Sequence, residues 1–359
     1  IQMPEDASLY DYEVPRRLVA QDPLRHRTDA RLMVVNRHRQ EIEHHHVRDL
    51  PHLLSDGDRL VLNDTRVIPA QLVGRRVQTG GRWQGLFIES TPEGHWRILC
   101  KTRGRLKPGE AIMLVDREGR PGVKLWLMER QDEGQWLAHA ESEDSTAAIL
   151  ERLGRVPLPP YIRGGNMVDS DVASYQTVFA QRPGAIAAPT AGLHFTNELL
   201  KSLEARGVAN SKVTLHVGLG TFRPIETDTV EEHRMHSERG EVTAATAAEL
   251  NATRAAGGRV IAVGTTVTRV LETAVHSQDA RGSEARIIPA WQGATDLFIR
   301  PPYEFRAIDA LLTNFHFPRT TLLLLVQALG GSELINAAYQ QAIREEYRFY
   351  SYGDAMLIV

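Results

Sequence analysis

Between residues 67 and 143 the chain alternates apolar and polar residues in six short runs, with no helical period among them. The runs are AQLVGRRV, WQGLFIES, HWRILCKTR, AIMLVD, VKLWLMER and QWLAHAE. Between them lie TGG, TPEG, KPGE, DREGRPG and QDEG, each a turn signal. Strands this short, joined this way, point to a small antiparallel barrel. The flanking chain reads differently. Strand-like runs (ARLMVVNR, RLVLNDT, RVIAVGTT) alternate there with helix-like ones (TNELLKSLEARG, AATAAELNATRAAG, VTRVLETA). That alternation belongs to an α/β domain. The expected fold is α/β: a larger mixed domain built from residues 1–66 and 151–359, with residues 67–150 inserted as a small antiparallel β-barrel. A chain of 359 residues is long enough to bury a core in each.

Charge then limits the partners. The formal net charge is −3, so the field of the whole protein does not attract nucleic acid, and any such contact needs a local basic patch. The insert offers one in Lys101, Arg103, Arg105 and Lys107, near Trp96 and following Arg75 and Arg76. A solvated face is the alternative reading of that run. Arg16, Arg17, Arg25 and Arg27 are the next basic group to consider. The single cysteine, Cys100, excludes a disulfide framework and a cysteine-based metal site, and fits a reducing cytoplasm. No signal peptide is visible, and the most apolar run, Leu322 to Val326, is far too short to span a bilayer. A cytoplasmic location with no membrane contact is expected. His44, His45 and His46 invite a metal reading, but consecutive strand residues face alternate sides, so at most two could share an ion. A polar strand edge is expected there.

Two stretches concentrate small residues around histidine and threonine: PGAIAAPTAGLHF (183–195) and TLHVGLGTFRP (214–224). Glycine and alanine at this density let backbone approach backbone or ligand closely. One stretch precedes a helix that Thr196 can cap and the other follows the next strand, so they read as facing walls of one site. The turns NDTRV (63–67) and GTT (264–266) each follow a strand, where α/β domains meet their ligands. Further polar groups stand in irregular stretches: His236, Ser237 and Glu238; Arg269; Asn314, His316 and Arg319; Tyr350, Tyr352 and Asp354. No nucleophile elbow, H-E-x-x-H motif or G-x-G-x-x-G fingerprint accompanies them. The residues read as a metal-free acid–base site suited to proton transfers on a polar ligand.

NDTRVIPAQL, LPPYI, YQTVFA, PGAIAAPTAGLHF, TLHVGLGTFRP, MHSE, VIAVGTT, FIRPPYEF, LLTNFHFPRTTL and YRFYSYGDAMLI resemble the S-adenosylmethionine:tRNA ribosyltransferase-isomerases of queuosine biosynthesis. The resemblance covers nearly the whole chain and is looser in the insert, at GGRWQGLFIES. It implies transfer and isomerisation of the ribosyl part of S-adenosylmethionine onto 7-aminomethyl-7-deazaguanine at a tRNA wobble position. Epoxyqueuosine-tRNA would form, with adenine and methionine leaving. No cofactor is implied, since S-adenosylmethionine is consumed as donor; the partners are that tRNA and S-adenosylmethionine, and the protein is taken as a monomer. His194 or His216 is the expected base, with His194 first in line. Glu238 or Asp64 is the expected ribose or acid partner, and Arg269 or Arg319 the group for a carboxylate or phosphate. Asn63, Arg66, Thr190, Thr221, Thr265, Thr266, Asn314, His316, Tyr352 and Asp354 complete the expected substrate contacts. Two other readings are weighed. A tRNA-binding module with a vestigial site would have lost these polar groups, and an ordinary methyltransferase would show a G-x-G turn after its first strand.

Overall fold

The computed structural model describes residues 10–218, 225, 227, 229–279 and 287–359; the side chains of residues 278 and 279 fall outside the description. The chain forms two compact units, residues 67–172 and the remainder.

In chain order the strands of the first segment are β1 (Arg31–Asn36), β2 (Glu41–His46), β3 (Arg59–Asn63) and β4 (Thr65–Val67). Those of the inner unit are β5 (Gln71–Arg76), β6 (Arg82–Ser90), β7 (Trp96–Thr102), β8 (Ala111–Val115), β9 (Pro121–Arg130) and β10 (Gln135–Ala140). The last segment adds β11 (Arg182–Ala185), β12 (Ala209–Leu215), β13 (Glu238–Val242), β14 (Val260–Val263), β15 (Trp291–Thr295), β16 (Ala310–Asn314) and β17 (Ala355–Ile358).

Among the described residues nine strands make the main sheet of the larger unit, in the order β15-β13-β12-β3-β14-β16-β17-β1-β2. At its centre β12, β3, β14 and β16 run parallel. Central parallel strands are covered on both faces, which explains why Leu60, Val61 and Leu62, or Val260 to Val263, are apolar without alternation. One face packs Leu32, Leu60, Leu62, Ile261, Val263, Leu312 and Leu357 against Leu50, Phe195, Leu199 and Leu203. The helix Asn197–Glu204 beneath that face is capped by Thr196, whose hydroxyl accepts from Leu199 N at 3.2 Å. Among the described residues no single helix is long and apolar enough to cross a membrane. The three consecutive histidines lie on the edge strand β2. His44 Nδ1 is 2.6 Å from the Tyr347 hydroxyl, and His45 and His46 lie beside Glu43 and Asp49.

The inner unit is a closed six-strand antiparallel barrel in the order β10-β7-β6-β5-β8-β9. Its interior holds Leu72, Trp83, Phe87, Trp96, Ile98, Ile112, Leu114, Leu125, Leu127 and Trp136. Room for Trp83 comes from Gly85, where a Cβ would lie 2.1 Å from the indole ring. The unit extends past residue 150, where the sequence reading ended it, because the chain beyond the helix Thr146–Leu153 stays bonded to the barrel. Gln71 N donates to Arg155 O at 3.0 Å and Arg155 N to Gln71 O at 2.8 Å. Residues up to 172 are then held by Asp171, which pairs with Arg163 at 2.5 Å and accepts from Val168 N at 2.7 Å.

Candidate active site

Because β12, β3, β14 and β16 are parallel, their carboxyl ends lie along one edge of the sheet, where doubly wound sheets hold their ligands. Each end runs directly into polar residues singled out in the sequence: Leu215 into His216, Asn63 into Asp64, Val263 into Gly264-Thr265-Thr266, and β16 into Asn314 itself. The antiparallel strands β13 and β17 start at the same edge, which adds Glu238 and Asp354. Three inter-strand spacings separate β12 from β16, so this polar edge is about 14 Å long.

The two small-residue stretches meet at one end of the edge. Ile186 N donates to Val217 O at 2.9 Å, and a Cβ on Gly184 would lie 2.7 Å from His216 Nδ1. Glycine there lets the backbone press against the imidazole. Nδ1 of His216 is 2.8 Å from Thr65 Oγ1, while Nε2 has no protein partner among the described residues. Half-buried, His216 is held below the ordinary histidine pKa by burial first and then by Arg182 and Arg239, with Asp64 opposing. Asp64 accepts from the Thr214 hydroxyl at 2.6 Å, and its other oxygen lies 3.8 Å from Arg182 Nε. Asn63 is fully engaged: its amide nitrogen donates to Leu215 O and Thr266 Oγ1, and its amide oxygen accepts from Thr65 N and Leu215 N. It fastens β3 to β12 rather than offering a free group. Arg66, one strand position on from Thr65, is exposed. Thr265 and Thr266 are buried at the start of the helix Thr265–Asp279.

At the other end, Asn314 Nδ2 donates to Tyr350 O at 3.2 Å, which fixes the amide orientation. The same nitrogen lies 3.2 Å from His194 Nε2, and the amide oxygen accepts from the Thr190 hydroxyl at 3.0 Å. An amide NH2 only donates, so His194 Nε2 accepts and its lone pair is occupied. Burial, followed by Arg27 and Arg348, pushes His194 down to about 4. A cleft with about 20 Å³ of room, enough for one water, lies beside it, lined by Arg27, Leu193 and Tyr352 among others. Arg27 donates to Leu193 O at 2.8 Å and Ser174 O at 2.7 Å. Asp354 accepts backbone N–H groups from Arg31 at 2.8 Å and Arg348 at 2.7 Å, and burial raises its pKa. His316 is buried, with its ring on Thr313 and its backbone held by two tyrosines. Its Nε2 is 2.7 Å from Thr313 Oγ1, its N–H donates to Tyr339 Oη at 2.9 Å, its carbonyl accepts from Tyr12, and burial pushes its pKa to about 3.

Glu238 and Arg269 form a buried pair, 2.5 Å apart and 3–4% exposed. The second carboxylate oxygen accepts from Gly218 N at 2.8 Å. Arg269 Nε and Nη2 are buried with no hydrogen-bond partner among the described residues, as is Arg319 Nε. Thr221 lies outside the described residues. Thr65, Thr214 and Arg182, which hold His216 and Asp64, were not singled out in the sequence, although the first two stand inside its motifs. Among the described residues no group of three His, Cys, Asp or Glu side chains is placed to hold a metal ion.

In the barrel, Lys101 and Arg103 line a groove, whereas Arg105 and Lys107 do not. Arg76 pairs with Glu110 and donates to the carbonyls of Arg103 and Arg105, so it shapes the loop that carries the basic run.

A family model described as queuosine biosynthesis protein matches residues 7–358. The S-adenosylmethionine:tRNA ribosyltransferase-isomerase of Cereibacter sphaeroides is 48% identical over 353 residues, 98% of each chain. That of Symbiobacterium thermophilum is 46% identical over 351 residues, again 98% of each. The crystal structure of S-adenosylmethionine tRNA ribosyltransferase from Thermotoga maritima superposes with a TM-score of 0.54 at 36% identity, covering 98% of this chain and 100% of that one.

Proposed function

This chain belongs to the queuosine biosynthesis protein family, and we propose that it transfers and isomerises the ribosyl moiety of S-adenosylmethionine onto 7-aminomethyl-7-deazaguanine at the tRNA wobble position. Epoxyqueuosine-tRNA is the product, and adenine and methionine are released. S-adenosylmethionine is consumed as donor, and no further cofactor takes part. The observation that carries this reading on the protein itself is the convergence of four parallel strand ends on one polar edge of about 14 Å.

A sulfonium acidifies the neighbouring C5′ protons, so a neutral imidazole is base enough to begin the reaction. Of the two expected histidines, His216 fits the role better than His194. In the tautomer that donates Nδ1–H to Thr65, the His216 Nε2 lone pair is free, whereas that of His194 is taken by Asn314 in either case. Asp64 is the carboxylate assigned to a ribose hydroxyl, since one of its oxygens meets only Arg182, at 3.8 Å and beyond hydrogen-bond distance, whereas both oxygens of Glu238 accept hydrogen bonds. The test is adenine release from S-adenosylmethionine, expected only with tRNA bearing the deazaguanine base and unaffected by chelator. His216→Ala should lower turnover by about 10²-fold or more. Release at the parental rate would place the base elsewhere, and no release from the parent enzyme would overturn the reaction.

A further inference from the structure

The face of the barrel carried by β5, β6 and β7 presents a groove of about 730 Å³. Arg75, Arg82, Lys101 and Arg103 line it, and no carboxylate does. Register explains how residues far apart in sequence come to share it. Arg75 on β5 is directly opposite Arg82 on β6, and Gln84, two residues further along the same face of β6, is opposite Lys101 on β7. Arg103 follows at the end of β7. All four are exposed, and among the described residues none makes an ion pair. Like charges placed directly opposite on neighbouring strands repel. Elsewhere in the barrel arginines are neutralised, as in Arg76 with Glu110, Arg97 with Glu89 and Arg120 with Asp116. The groove is therefore a local positive field in a chain whose net charge is −3.

We propose that this groove is a phosphate track: it binds the RNA sugar–phosphate backbone of the tRNA substrate through Arg75, Arg82, Lys101 and Arg103. The inference rests on the function proposed above and adds the place where the RNA backbone is gripped. Two strand spacings separate Arg75 from Lys101, about 10 Å. That length matches a short run of neighbouring phosphates on one RNA strand. Counterion release then makes the attraction steeply dependent on salt, and it carries no sequence information.

The test uses the full-length protein and a tRNA transcript without modified bases, with binding followed by fluorescence anisotropy across a salt series. The double variant Arg82→Gln, Lys101→Gln should bind at least about tenfold more weakly at low salt, and its log–log salt slope should be shallower by about 1.4 to 1.8. The matched variant Arg105→Gln, Lys107→Gln removes the same charge outside the groove and should change the affinity less. An unchanged Tm shows that the loss is not one of folding. Equal affinity and slope for the groove variant and the parent overturn the proposal. So does an equal loss in both variants, which would mean bulk charge alone. Displacement of the RNA by polyglutamate at equal charge concentration would make the groove a site for an acidic protein and also overturn it. If the parent itself binds no tRNA, the proposed function falls with it. Failure of the groove variant alone leaves that function standing.

Discussion

Arg269, at the carboxyl edge of the large sheet, and Arg82, in the groove of the barrel, stand in opposite electrostatic settings. Arg269 is 4% exposed and sits 2.5 Å from a carboxylate that is itself buried. Arg82 is exposed, faces another arginine across the ladder, and makes no ion pair among the described residues. The contrast extends to their surroundings. At the sheet edge, Asn63, Asn314, Asp354 and Glu238 bond to protein at nearly every available position. Along the groove the cations are left to solvent. Buried polar groups must find partners inside the fold, since an unmet one costs about 1–3 kcal/mol, whereas exposed cations carry no such constraint and stay available to a mobile polyanion. Density of polar side chains therefore has two meanings in this molecule. At the edge it builds a rigid frame around a few free groups; in the groove it leaves cations open to solvent.

The sharpest break of that comparison is expected from Glu238→Ala. It leaves Arg269 charged and buried, with two of its own nitrogens already without partners among the described residues, and should destabilise the fold by about 3–5 kcal/mol in urea unfolding. A loss below about 1 kcal/mol would mean that the edge is not held by this pair. Next is acidification. His194 and His316 are buried neutral, at about 4 and about 3, while an unfolded chain titrates them near 6.5. Below about pH 6.5 the unfolded chain binds protons that the folded one does not, so stability falls as pH falls. The fall should reach about 1.4 kcal/mol per pH unit for each histidine, ending near pH 4 for His194 and near pH 3 for His316. Equal unfolding free energies at about pH 7.5 and 5.5 would contradict the assignment. Smallest is Arg82→Gln, which should alter unfolding free energy by less than about 0.5 kcal/mol. A loss above about 1 kcal/mol would show that the groove arginines belong to the frame after all.

The barrel was legible in the sequence because every one of its strands is bracketed by turn residues, and turn chemistry is local. The central sheet was legible as α/β, but its order was not, since pairing β12 with β3 and β14 with β3 depends on contacts across long separations. The site shows the same division. Polar residue types at strand ends do come together on one edge, yet which of them stay free was hidden. Asn63 and Arg66 stand three positions apart in one motif; one is buried with all its hydrogen bonds made, and the other is exposed. His194 and His216 read alike in sequence and differ through Asn314 and Thr65, which reach them from distant positions. In the insert, proximity along the chain suggested Lys101 to Lys107 as the basic unit. Strand register instead brings Lys101 beside Arg75 and Arg82, and Arg103, just past β7, lines the same groove.

Asn63 has one further consequence. Its amide joins β3 and β12 just where their backbone ladder ends, through contacts of 3.0 to 3.1 Å to both N–H and C=O of Leu215. The spacing between Asp64 and His216 is thereby set before any substrate arrives. An imidazole and a neighbouring carboxylate held in this way would need little reorganisation if they act as the proposed base and ribose partner, so less affinity would be diverted into ordering the protein. Preorganised dipoles are also the form in which a protein stabilises developing charge most effectively. One asparagine side chain, with its amide hydrogen bonds made to protein, converts two independent strand ends into a single template.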